Sequence, residues 1–126
     1  MTQERALRKA LAGTGASVDF TGTWVNELGS EASLIQANDT LSGSYESAVS
    51  GGGTKAAGTL TGYVDGDLIA FTVHWRDFQA ITSWVGQLIP NTHAQTIKTL
   101  WQMTNQVDPG AEWASINAGS DIFIRK

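Results

Sequence analysis

At 126 residues the chain is long enough for one domain that buries roughly two thirds of its unfolded surface without covalent staples. It has no cysteine, which excludes disulfides and thiolate metal sites, and a net charge of −4 with no basic run, which argues against a nucleic-acid partner. No apolar stretch approaches the length of a membrane span, while abundant glycine, scarce proline and repeated Thr, Val, Ile and aromatic residues favour short strands and tight turns.

The only helical pattern is TQERALRKALA, residues 2–12, with Leu7 and Leu11 one turn apart. A helix this short is not stable alone, so residues 1–18 read as an N-terminal arm, helical or frayed. The arm contains no apolar core of signal-peptide length, so no targeting signal is visible. From Asp19 onward, strand patterns cover 19–26, 32–37, 41–49, 57–65, 68–75, 81–89, 95–104 and 119–125. They are separated by turn signals at Leu28-Gly29, Asn38-Asp39, Gly51–Gly53, Asp65-Gly66-Asp67 and Pro90-Asn91. The predicted fold is therefore all-β: an eight-stranded antiparallel up-and-down β-barrel over residues 19–126, because closure removes exposed strand edges. The longest gap, 105–118, holds Pro109, Gly110 and Trp113 and is long enough to be functional.

The two-residue period sorts side chains onto two faces. One face carries Trp24 and Asn26, then Tyr45 and Ser47, then Thr82 and Trp84, then Thr99, Trp101 and Met103, then Asp121 and Phe123. An ordinary core would be aliphatic throughout, and a channel would be polar throughout. Large aromatics with single small polar groups suit a small-molecule cavity. Each residue alone has a plainer explanation, since a strand Trp is usually core and a buried Tyr or Ser usually satisfies the backbone. Asn38-Asp39-Thr40 matches a glycosylation sequon but reads more simply as a turn. His74 and His93 lack metal-ligand spacing, no nucleophile–base arrangement or phosphate loop occurs, and the chain is not read as an enzyme.

Together the residues identify a pattern. The stretches GTWVNELGS (22–30), GSYESAV (43–49), FTVHW (71–75), TSWVGQ (82–87), TLWQMT (99–104) and SDIF (120–123) resemble the avidins, especially bacterial streptavidin-like members. The resemblance implies biotin as the ligand, with no cofactor and no metal. By position it implies that Asn26, Ser30 and Tyr45 donate to the ureido carbonyl oxygen, and that Asp121 and Ser47 accept the two ureido N–H groups. Thr82 would meet the sulfur. Trp75, Trp84 and Trp101 would form the walls, with Leu28, Val49 and Met103 as lesser contacts. Residues 50–55, including Gly51, would form a lid over the valeryl tail. Two departures stand out: Ala80 occupies the position of a Ser or Thr that meets the tail carboxylate, and Asn117 that of an apolar seal. Trp113 matches a tryptophan that covers a neighbouring subunit's ligand, which implies a homotetramer. The resemblance further implies secretion. The rival reading is a lipocalin-like barrel for a different apolar ligand, which would not need three donors around one oxygen.

Overall fold

The computed structural model describes residues 1–13, 15–48, 55–90 and 93–126. Its strands follow in chain order: β1 (Gly22–Val25), β2 (Glu31–Ala37), β3 (Thr40–Glu46), β4 (Ala57–Asp65), β5 (Leu68–Trp75), β6 (Ala80–Ile89), β7 (Thr96–Asn105) and β8 (Ile116–Arg125). Each pairs antiparallel with the next, and β1 returns to β8 to close the barrel, as the alternation pattern predicts. The closing seam is short, with Trp24 opposite Arg125 and Val25 opposite Ile124.

Three boundaries differ by three residues from the sequence reading, each for a local reason, and the other strand ends agree to within one residue. β1 begins at Gly22 rather than Asp19 because the preceding strap spends its hydrogen bonds on side chains. Phe20 N–H donates to Gln36 Oε1 and Thr21 N–H to Asp19 Oδ1. β3 ends at Glu46, where Ser47 N–H turns to the Ala56 carbonyl. β8 starts at Ile116, because β7 is long enough to pair Met103 with Asn117 and Thr104 with Ile116. The remaining link is shorter than expected and contains one 3₁₀ turn, Glu112–Ala114.

The arm forms one short helix, α1 (Gln3–Leu7), capped by Thr2 Oγ1, which accepts from Arg5 N–H. The helical pattern to residue 12 does not hold, and Leu7 and Leu11 are exposed rather than packed as a stripe. With so few residues and no apolar seat, the helix has nothing to propagate it.

Two glycines allow the barrel its geometry. Gly66 takes φ +60° in the two-residue β4–β5 link, where a mirror-image hairpin turn disfavours a Cβ. Gly43 takes φ +150° where β3 crosses close to β2, and a Cβ there would lie 1.9 Å from the Ser33 carbonyl oxygen.

The core is not uniform along the barrel axis. At the end where β1 begins, Phe20, Trp24, Leu41, Val64, Ile69 and Ile97 are buried and plug the interior. Trp24 Nε1 donates to the Phe20 carbonyl. The Arg125 guanidinium lies 4.3 Å from the Trp24 ring and donates to the carbonyls of Asp19 and Thr21. These contacts tie the strap to both seam strands. Toward the other end the interior changes to aromatic and polar side chains.

Candidate ligand-binding site

β1 runs into a turn that aims Asn26. Its main-chain N–H donates to the Ser30 carbonyl at 2.9 Å, and Gly29 N–H donates to its own carbonyl at 3.0 Å. The side-chain amide oxygen accepts from the N–H groups of Leu28 and Ser30 at 3.0 and 2.9 Å. With that oxygen engaged, the amide NH₂ is the end left to face the interior, and it lies 3.4 Å from Tyr45 Oη. Ser30 is buried, and its Oγ accepts from Ala48 N–H at 3.0 Å, so its hydroxyl hydrogen remains to donate. Tyr45 is also buried. Burial, and then the nearby Asp121 charge, pushes its phenol well above the usual tyrosine range, so it stays a neutral donor.

The walls are aromatic. Trp84 stacks on Tyr45 at 4.8 Å and on Phe71 at 5.1 Å, and meets Trp75 and Phe123 edge-on at 6.5 Å each. Such pairs contribute about 0.5–1.5 kcal/mol each beyond the area they bury. Trp75 Nε1 donates to Thr82 Oγ1 at 2.8 Å, which fixes the indole and leaves the buried hydroxyl a hydrogen to offer. Trp101 pairs with Trp84 across β6 and β7 and lies over Gly119, where a Cβ would come within 2.5 Å of its ring. Met103 continues the same face.

Asp121 is half-buried on β8. Its Oδ2 accepts from Trp84 Nε1 at 2.8 Å, and Thr99 Oγ1 donates to its carbonyl at 2.9 Å. Burial raises its carboxyl above the usual range, the Trp84 donor opposes that, and Glu27 adds to it. Glu27 is the residue the sequence reading missed. It follows Asn26 in the turn, and its Oε2 accepts from Ile122 N–H at 2.9 Å.

Ser47, Trp75, Ala80, Met103 and Asn105 border a cavity of about 720 Å³ at the open end, within the roughly 300–1,000 Å³ range of ligand pockets. Asp77, with φ +69°, and the exposed Phe78 rim it. Asn117 Nδ2 donates to Asn105 Oδ1 at 3.1 Å, so the polar residue at the expected apolar seal has a partner on β7. An adjoining groove of about 510 Å³ shares Ala80 and Asn105 with this cavity and is also bordered by His74, Ile81, Pro109 and Glu112. Among the described residues no cluster of three or more His, Cys, Asp or Glu could hold a metal ion.

The structure thus brings Asn26, Ser30, Tyr45, Trp75, Thr82, Trp84, Trp101 and Asp121 around one interior, with Ser47, Ala80 and Met103 at its mouth. Leu28, 76% exposed, does not line that interior, and Trp113, expected to cover a neighbouring subunit's site, is 87% exposed. Val49 and Gly51 lie outside the described residues.

A closed barrel plugged at one end and lined at the other by aromatic walls with single fixed donors and an acceptor is a small-ligand-binding barrel. The particular family follows from comparison: the Avidin family model matches residues 14–126, and the chain belongs to the avidin family. Chicken (Gallus gallus) avidin is 26% identical over 133 residues, covering 94% of this chain and 88% of its own. Chicken avidin-related protein 7 is 30% identical over 132 residues, covering 95% and 88%. The crystal structure of xenavidin superimposes with a TM-score of 0.75 at 28% identity, covering 87% of this chain and 99% of the other. The lipocalin-like alternative is not favoured by these matches.

Proposed function

We propose that this protein binds biotin non-covalently in the open half of the barrel and catalyses no reaction. The observation that carries this reading is the convergence of Asn26 Nδ2, Ser30 Oγ and Tyr45 Oη beside a carboxylate, all inside aromatic walls. Three donors on one carbonyl oxygen draw a urea toward its charge-separated form, which strengthens its N–H donors. Asp121 then accepts one of them in a charge-assisted bond and Ser47 accepts the other. Thr82 meets the thioether, and Trp75, Trp84 and Trp101 enclose the bicycle. Titration with biotin while following tryptophan fluorescence tests the assignment. A saturable change at stoichiometric biotin supports it, and no change at micromolar biotin rules it out.

Tail recognition departs from the avidin resemblance, because Ala80 carries no hydroxyl. Ala80→Ser is expected to strengthen free biotin by about 0.5–1.5 kcal/mol. The gain should vanish for a biotin amide, which lacks the carboxylate, and equal gains for both would refute this placement of the tail.

The same reading includes a secreted homotetramer. Its support is an apolar outer face on β6–β8, where Val85, Leu100, Ile122 and Ile124 are all exposed, together with the exposed Trp113. Closed dihedral symmetry is the simplest arrangement for four such chains. Trp113 then covers a neighbour's ligand. Trp113→Ala should weaken biotin binding by about 2 kcal/mol, accelerate release and leave barrel stability unchanged. Light scattering gives the assembly directly, and a monomer at micromolar concentration or undiminished binding by this variant would exclude the cross-subunit role.

A further inference from the structure

Glu27 occupies a position that barrel closure creates. The β1–β8 register, Trp24 to Arg125 and Val25 to Ile124, would place Glu27 opposite Ile122 if the ladder continued. It does not continue, because the main chain of Asn26 turns to Ser30. The Ile122 N–H that β1 would have bonded is taken instead by Glu27 Oε2 at 2.9 Å. The carboxyl is thereby held beside the residue preceding Ile122, which is Asp121. The Glu27 and Asp121 carboxyls are near enough for each to perturb the other's ionisation.

We propose that Glu27 is a positioning residue for ligand recognition, forming with Asp121 a carboxyl pair that sets the acceptor strength of Asp121 and makes ligand retention acid-sensitive. The inference rests on the biotin reading, in which Asp121 accepts a ureido N–H. A second negative charge beside Asp121 makes it the more basic acceptor while it is ionised. The same charge favours its protonation as pH falls, and a protonated Asp121 no longer offers the ligand a charged acceptor. Ligand binding is therefore coupled to loss of one proton. Affinity is full above the ligand-free carboxyl's pKa and falls by up to about tenfold per pH unit below it.

Among the described residues, no other group facing Asp121 supplies this behaviour. From β6 it meets the Trp84 indole N–H, from β7 the Thr99 hydroxyl at its carbonyl, and from β3 the neutral Tyr45 phenol. From the β1–β2 turn it meets the Asn26 amide and Glu27. Burial raises Asp121 first and Glu27 raises it further. At Glu27 burial acts upward too, but the Ile122 N–H, Glu27's own N–H and the Asp121 carboxyl together outweigh it and hold that carboxyl below its usual range. As pH falls, Asp121 is therefore the carboxyl of the two that takes up a proton first.

The test uses the full chain and its Glu27→Gln and Glu27→Ala variants. Glutamine keeps an oxygen for Ile122 N–H and removes the charge, whereas alanine removes both. In the ligand-free protein the Trp84 Nε1–H NMR resonance reports Asp121 ionisation, and its titration midpoint should move to lower pH in both variants. Release of a labelled biotin should accelerate as pH falls in the wild type, with the onset displaced to lower pH by either substitution. An unchanged midpoint in Glu27→Gln, or a change confined to Glu27→Ala, means that Glu27 only anchors the backbone and overturns the proposal. Failure of biotin to bind at pH 7.5 would refute the biotin reading alone, because the ligand-free titration still decides whether the pair exists.

Discussion

Trp84→Ala should destabilise the barrel by about 3–5 kcal/mol, the largest loss expected of any single truncation in the binding half. Trp84 is 4% exposed and is sandwiched between the rings of Tyr45 and Phe71. Truncation removes both stacks and opens a cavity that Trp75 and Phe123, which meet its edge, cannot fill without leaving their own packing. It also removes the N–H that Asp121 Oδ2 receives, so a half-buried carboxylate loses a donor. Urea unfolding followed by circular dichroism measures the loss. A decrease below about 1 kcal/mol would show that this aromatic stack does not bear the packing assigned to it. Trp84→Phe separates the two contributions, because it keeps most of the stack and deletes only the donor. It should lose less stability than the alanine variant while still weakening ligand binding.

How far the site could be read from the sequence depended on how far apart its parts lie along the chain. Tyr45, Thr82, Trp84, Trp101 and Asp121 declared their common face through the two-residue period, since a strand's side chains alternate whatever it pairs with. The family resemblance then assigned them roles that periodicity alone could not. Glu27 was invisible to both, because its importance arises from the place where the β1–β8 ladder stops, a contact spanning 95 residues. Leu28 shows the converse. Its backbone N–H orients Asn26, while its exposed side chain is remote from the enclosed walls. The closed end was legible as strand pattern but not as a plug. Nothing local indicates that the strap before Gly22 folds under the barrel, or that Arg125 will hold it through the Asp19 and Thr21 carbonyls.

Asp121→Ala should weaken biotin binding by about 1.5–3 kcal/mol, roughly ten- to 150-fold, with little change in the association rate. Asp121 is the one carboxylate in the binding half whose geometry lets it accept a ligand N–H from inside the walls, with Trp84 Nε1 already holding Oδ2. Its removal leaves a ureido N–H desolvated and unpaired on binding, and that penalty is felt mainly in the dissociation rate. Two further changes accompany it in the free protein: Trp84 Nε1–H loses its acceptor, and Tyr45 loses the negative charge that helps to raise its phenol. Asp121→Asn is the informative companion. It retains a carbonyl acceptor of similar shape but no charge, so it should fall between wild type and Asp121→Ala. It should also abolish the acid-dependent acceleration of release, because the pair with Glu27 then has no titrating partner inside the site. Competition between labelled and unlabelled biotin, with release followed at several pH values, measures both effects. If Asp121→Ala releases biotin no faster than wild type, the ligand's N–H groups lie against some other part of the barrel, and the head-group orientation proposed for this site is wrong.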